Sequence, residues 1–299
     1  MYIQIIEAGI LSAVLTLLFA RLIAKLAKNG TSGNLFVDIR GGIPRGVGLA
    51  PLIIFIFFLT WPYNYILAIM GILAFIDDLM GRKKLKSFPL ELGQLSRGLG
   101  MILVIILAYP FLGSASILLA LMVQPLNIAD MQPGSACSTV LSMSALVILL
   151  YLISGIFNGS INSIGISQYF IPLLIIAICA GYAPLDYKGK IMMGEVGNHS
   201  FAIALGIMFY LYGGGWGLLI LFLTTTTLIA IIRRNNLQIF LETKLGIENP
   251  TFGDYFMDVL TGGGLGDLFR KIILKKRKIS IKNGFLIKIG FRRLFYNPF

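Results

Sequence analysis

A chain of 299 residues with 57% apolar side chains, 13% charged ones and a mean hydropathy of +0.86 has too little polar surface to clothe a water-soluble globule. Its net charge of +12 would suit a nucleic-acid binder, but the cations are confined to 21–45, 82–97, 188–190 and 233–293, with none between Arg97 and Lys188. That segregation excludes nucleic acid as the partner and matches loops held on one side of a membrane. The expected fold is all-α, a polytopic integral membrane protein of about nine to ten transmembrane helices, multi-pass in the plasma membrane.

The first apolar run, 3–26, is long enough to span and carries Arg21, Lys25 and Lys28 at its far end, so it reads as a retained span with the N-terminus outside. Further runs follow at 46–61, 64–80, 98–112, 113–124, 138–157, 166–183, 199–212 and 215–232. They define a transmembrane domain over 1–232 and leave 233–299 as a basic cytoplasmic or membrane-surface tail. Ten of the 25 cations fall in 270–293, alternating with Ile, Leu and Phe, a pattern suited to anionic lipid. The 27 residues 98–124 must cross twice, against roughly 20 per crossing, and Pro110 and Gly113 mark a break there. Cys137 and Cys179 lie in or beside spans without the spacing of a disulfide framework or a thiolate metal site, and read as core residues.

Charge inside this apolar pattern is costly, which singles out Phe75-Ile76-Asp77-Asp78 at the inner end of the run 64–80. Arg82, Lys83, Lys84 and Lys86 follow at once, so carboxylates and cations share one mouth. A glycine-rich inner loop precedes it, Asp38-Ile39-Arg40-Gly41-Gly42-Ile43-Pro44-Arg45-Gly46-Val47-Gly48, whose glycines permit close backbone approach and whose arginines suit phosphate. Two asparagine loops then compete, Asn127-Ile128-Ala129-Asp130 and Asn158-Gly159-Ser160-Ile161-Asn162. Lys188 and Lys190 put 184–198 inside; counting spans back puts Asn158 and Asn162 outside and Asn127 and Asp130 inside, which favours the first loop. Glu195, in Met193-Gly194-Glu195-Val196-Gly197-Asn198, adds a further inner acid. Oxygen ligands on several inner loops, with one histidine, His199, favour Mg2+, with Mn2+ as an alternative. His199 reads as a helix-start hydrogen-bonder ahead of a general base.

Taken in order, these loops resemble those of the polyprenyl-phosphate N-acetylhexosamine-1-phosphate transferases, the membrane family that includes the phospho-N-acetylmuramoyl-pentapeptide and undecaprenyl-phosphate GlcNAc-1-phosphate transferases. The resemblance covers about residues 36–232. It rests on the Pro44-Arg45-Gly46 loop, the Asp77-Asp78 motif, Asn127-Ile128-Ala129-Asp130 with Gly134 beyond it, and Met193-Gly194-Glu195-Val196-Gly197-Asn198. Departures are Glu195 where the family has Asp, Met131 and Pro133 within the third motif, and no His-rich loop near the C-terminus, where Asp254, Asp258 and Asp267 stand instead.

The resemblance implies a Mg2+-dependent transfer of sugar-1-phosphate from a UDP-sugar to a polyprenyl phosphate on the cytoplasmic face. It implies Asn127 and Glu195, with Asp78, as metal ligands, Asp77, Asp78 and Asp130 as catalytic residues, and Arg45 and Lys86 as substrate-binding cations. A homodimer is compatible with it. Two rivals stand beside this expectation. A transporter or channel would set its acids near the membrane midplane on paired broken helices, and an inactive homologue would keep the fold without the reaction.

Overall fold

The computed structural model describes residues 2–39, 41–81, 92–157, 166–275, 277 and 279–296. Lys86, Arg40 and the loop from Asn158 to Asn162 lie outside them. The described chain is almost wholly helical, with one two-stranded antiparallel hairpin, β1 (Phe36–Val37) against β2 (Ile43–Pro44).

Contacts divide the chain into two compact units, Met1–Phe222 and Leu223–Phe299. The first contains α1 (Tyr2–Lys28), α2 (Leu49–Phe58), α3 (Tyr63–Met80), α4 (Leu92–Leu112), α5 (Ala115–Leu121), α6 (Val123–Ala129), α7 (Ser135–Phe157), α8 (Phe170–Tyr187) and most of α9 (Gly194–Ile232). Six helices among the described residues are long and apolar enough to cross a membrane, namely α1, α3, α4, α7, the 167–187 helix ending in α8, and α9. The expected runs 199–212 and 215–232 are the two helical halves of α9, separated by a kink at Gly213 and Gly214, where the backbone leaves helical geometry. The run 46–61 yields only the 10 residues of α2, about 15 Å of helix against a hydrocarbon core of about 30 Å. The run 113–124 becomes α5 and part of α6. The expected nine or ten full crossings thus resolve into six long helices and two shorter apolar stretches.

In this unit α1 packs on α8 and α2, α3 on α2 and α4, and α7 on α8. Helices that must associate without a hydrophobic force between them rely on small residues and shared polar groups. The α1–α8 seam follows that rule: a side chain at Gly181 would collide with the α1 backbone at Gly9 and Ala13, and Ser12 donates to the Ile178 carbonyl at 2.7 Å. Phe55 of α2 meets Phe201 of α9 edge-on at 5.3 Å, a contact worth about 1 kcal/mol beyond its buried area.

The second unit contains the end of α9, α10 (Arg234–Thr243), α11 (Phe252–Thr261), α12 (Gly264–Leu274), α13 (Gly284–Lys288) and α14 (Phe291–Leu294). Three of the tail's cations are paired with acids here. Arg293 is fully buried and pairs with Asp258 at 2.5 Å, Arg270 pairs with Asp267 at 2.6 Å, and Arg292 pairs with Asp254 at 2.7 Å.

Candidate functional site

Three local structures aim the site. Asp77 and Asp78 occupy the last turn of α3, whose end is fixed by Asn34 donating to the Leu79 carbonyl at 2.9 Å. The β-hairpin then delivers Arg45, and beyond it the Gly48 amide donates to the Met193 carbonyl at 3.0 Å while the Met192 amide donates to Pro44 at 2.8 Å. This lays the inner loop on the start of α9. Gly48 and Gly197 touch backbone to backbone, so a methyl at either would collide with the other strand of chain.

The first four amides of α9 lack helical partners, and a carboxylate at a helix N-terminus satisfies some of them and complements the dipole. Asp78 supplies it from α3: Oδ1 accepts from the Glu195 amide and Oδ2 from the Val196 amide, both at 3.0 Å. Arg45 Nε sits 3.1 Å from Oδ1. Asp78 is fully buried, and both of its oxygens help hold the start of α9 in place.

The centre of the cluster is a residue that sequence reading passed over, Arg97, in the second turn of α4. Its Nη2 lies 2.9 Å from Asp77 Oδ2 and 2.9 Å from Glu195 Oε1, and its Nε donates to the same Asp77 oxygen at 3.2 Å. With its carboxamide oriented to satisfy both neighbours, Asn127 accepts from Arg97 Nη1 at 2.8 Å and donates to Glu195 Oε2 at 3.2 Å. Arg45 Nη2 reaches Glu195 Oε1 at 3.5 Å. Asp77, Asp78, Arg45, Asn127 and Glu195 are thus brought together by α3, α4, α6, α9 and the hairpin. The signal for Arg97 was present: a cation within an apolar helix that follows α3 in an antiparallel pair stands opposite the acids of α3. It was hidden because the run was taken to begin at 98, whereas α4 begins by Leu92.

Asp130 belongs to a neighbouring buried group. It accepts from Asn198 Nδ2 at 3.2 Å, and Asp186 of α8 accepts from the Gly134 amide at 3.1 Å. Burial pushes the Asp130 carboxyl well above the usual carboxylate range; the Asp186 charge adds to this and the Asn198 hydrogen bond opposes it. Asp186 was not among the expected site residues, and Asn198 was expected only as the last residue of the Met193-Gly194-Glu195-Val196-Gly197-Asn198 motif. His199 is fully buried one turn beyond Glu195, with Nε2 3.9 Å from Glu195 Oε2, too far for a hydrogen bond. Neither ring nitrogen makes a hydrogen bond of good geometry among the described residues.

The donor chemistry fits a hard divalent cation. Carboxylate oxygens of Asp77 and Glu195 and the amide oxygen of Asn127 already converge on one positive group, the Arg97 guanidinium. Among the described residues no three His, Cys, Asp or Glu side chains are grouped to hold an ion alone, and Mg2+ ordinarily completes its shell with water and substrate phosphate. No protein-family model matches the chain, and no curated protein matches it.

Proposed function

We propose that the protein is a Mg2+-dependent phosphoglycosyltransferase that moves a sugar-1-phosphate, with N-acetylhexosamine-1-phosphate the favoured unit, from a UDP-sugar to a polyprenyl phosphate. The observation that carries this reading is the meeting of Asp77, Asn127 and Glu195 on the Arg97 guanidinium, with Arg45 joining Glu195 to Asp78, so that residues of the resemblance's four motifs form one linked cluster. In this reading the cluster faces the cytoplasm, the N-terminus lies outside, and α2 and the α5–α6 stretch complete the bundle as short or re-entrant segments.

The reaction joins a phosphate oxygen of the lipid to the β-phosphorus of the nucleotide sugar and breaks the bond from that phosphorus to the bridging oxygen, which leaves with UMP. A phosphate monoester has its second pKa near about 6, so the nucleophile is largely dianionic at neutral pH and the task left to the protein is positioning and charge neutralisation. Arg97 and Arg45 bind phosphate oxygens through their planar forks. Asp77 orients Arg97 and keeps the incoming lipid phosphate to one side by repulsion. Asp78 is a positioning residue that sets the Glu195 backbone. Glu195 and Asn127 would hold the metal, which when bound neutralises charge on the diphosphate.

Purified protein incubated with a panel of UDP-sugars and a polyprenyl phosphate should release UMP only with Mg2+ or Mn2+. Glu195→Gln and Asn127→Ala should each lower release about 100-fold or more while eluting as folded protein. Wild-type rates in both variants, or no release from any UDP-sugar, would sink the proposal. A cysteine at position 190 should label from the cytoplasm and one at 168 from outside.

A further inference from the structure

We infer that Arg97 makes metal binding conditional on the diphosphate, so that neither ligand binds tightly without the other; this rests on the transferase reading above. The Arg97 guanidinium occupies the same oxygens that face the metal. One nitrogen lies between Asp77 Oδ2 and Glu195 Oε1, each at 2.9 Å, and another holds the Asn127 oxygen at 2.8 Å. A divalent ion placed there would share its ligands with a fixed positive charge.

Charge stoichiometry points the same way. Asp77, Asp78 and Glu195 carry three negative charges and Arg45 and Arg97 two positive ones, leaving one excess negative charge in a largely buried cluster. That single charge is weak attraction for a free divalent cation that must shed water. Once a diphosphate enters, its oxygens offer Arg97 the paired acceptors that Glu195 and Asn127 supply in the free protein. The guanidinium then turns to phosphate, and Glu195 Oε1 and Asn127 Oδ1 are released to the metal. Asp77 does not release Arg97: it is bound through both Nε and Nη2 and acts as the pivot. Arg45 is the poorer gate, because its nearer contact is the capping carboxylate Asp78 and its Glu195 contact is 3.5 Å.

Linkage makes the effect reciprocal, and couplings of this kind span about 5- to 150-fold. The test measures Mn2+ affinity by electron paramagnetic resonance on the detergent-purified full chain, with and without saturating UDP. Wild type should bind Mn2+ at least about tenfold more tightly with UDP, within that range. Arg97→Gln should bind Mn2+ in the absence of UDP about as tightly as wild type does in its presence, and UDP should then change little. Arg97→Lys keeps the charge but not the fork; it should fold even where the Gln variant does not, and show a reduced UDP effect. UDP binding with unchanged Mn2+ affinity in wild type, or a full-sized UDP effect in either variant, overturns the inference and leaves the transferase reading standing. Failure of UDP to bind at any Mn2+ concentration overturns both.

Discussion

The two units each contain a cluster of three acids with arginines, and they differ in how the charges are matched. In the C-terminal unit three acids face three guanidiniums: Arg292 pairs with Asp254, Arg293 with Asp258 and at 3.3 Å with Asp267, and Arg270 with Asp267, while Arg270 and Arg292 spend further hydrogens on Thr261 and on the Glu248 and Asn249 carbonyls. Charges balance one to one. In the N-terminal unit two guanidiniums are divided among three acids, one acid is also a helix cap, and a neutral amide fills the gap. The C-terminal cluster is matched in charge and complete; the N-terminal one is short of a cation, which is what a site for an added cation requires.

The largest effect should come from breaking the balanced set. Arg293→Ala leaves Asp258 buried without its cation and should cost about 3–5 kcal/mol, seen as loss of the C-terminal helices in detergent unfolding, with no recovery on adding Mn2+. Arg97→Gln should also lose stability, but Mn2+ should restore much of it; equal behaviour of the two variants would erase the distinction between the clusters.

Next in size, Asp78→Ala removes the cap from α9 and should cost about 2 kcal/mol, the upper end for a lost helix cap. Mn2+ should not restore it, since both Asp78 oxygens serve backbone amides. Thr251→Ala, which breaks the capping box between Thr251 and Asp254 at the start of α11, should cost about 1 kcal/mol and leave nucleotide binding unchanged.

The subtlest effect is a change of slope. A folded-state pKa raised above the unfolded value favours the folded protein while the carboxyl is protonated, and that support is lost as pH rises through the folded value. Asp130 is such a group. Asp130→Asn should therefore flatten the fall in melting temperature as pH rises above the ordinary carboxylate range, and an unchanged slope would place the ionised form in the fold.

Much of the architecture was legible because apolar runs of membrane length impose helices whatever else they contact, as with α3, α7 and both halves of α9. The start of α2 was not. Residues 46–48 are apolar or glycine and read as membrane, yet they form the loop pressed on Gly197, a use of glycine visible only once the partner backbone is known. The acids and amide of the site were legible because charge in such runs is expensive. Arg97 was lost to a helix boundary six residues out. The pairings of the C-terminal unit were illegible for another reason: Asp258 and Arg293 are 35 residues apart, and each alone looks like an ordinary surface charge.

The contact between Gly48 and Gly197 carries one more consequence. Where two stretches of main chain touch, there is no side chain to yield, so the spacing between Arg45 and Glu195 behaves as a machined joint with no play. An alanine at 48 or 197 adds no charge, removes no ligand and leaves every helix its sequence preference. It would still wedge the hairpin from α9, and a misplacement of about 1 Å among reacting groups can cost about 100-fold in rate. The tolerance of this site is set by two residues that have no side chains.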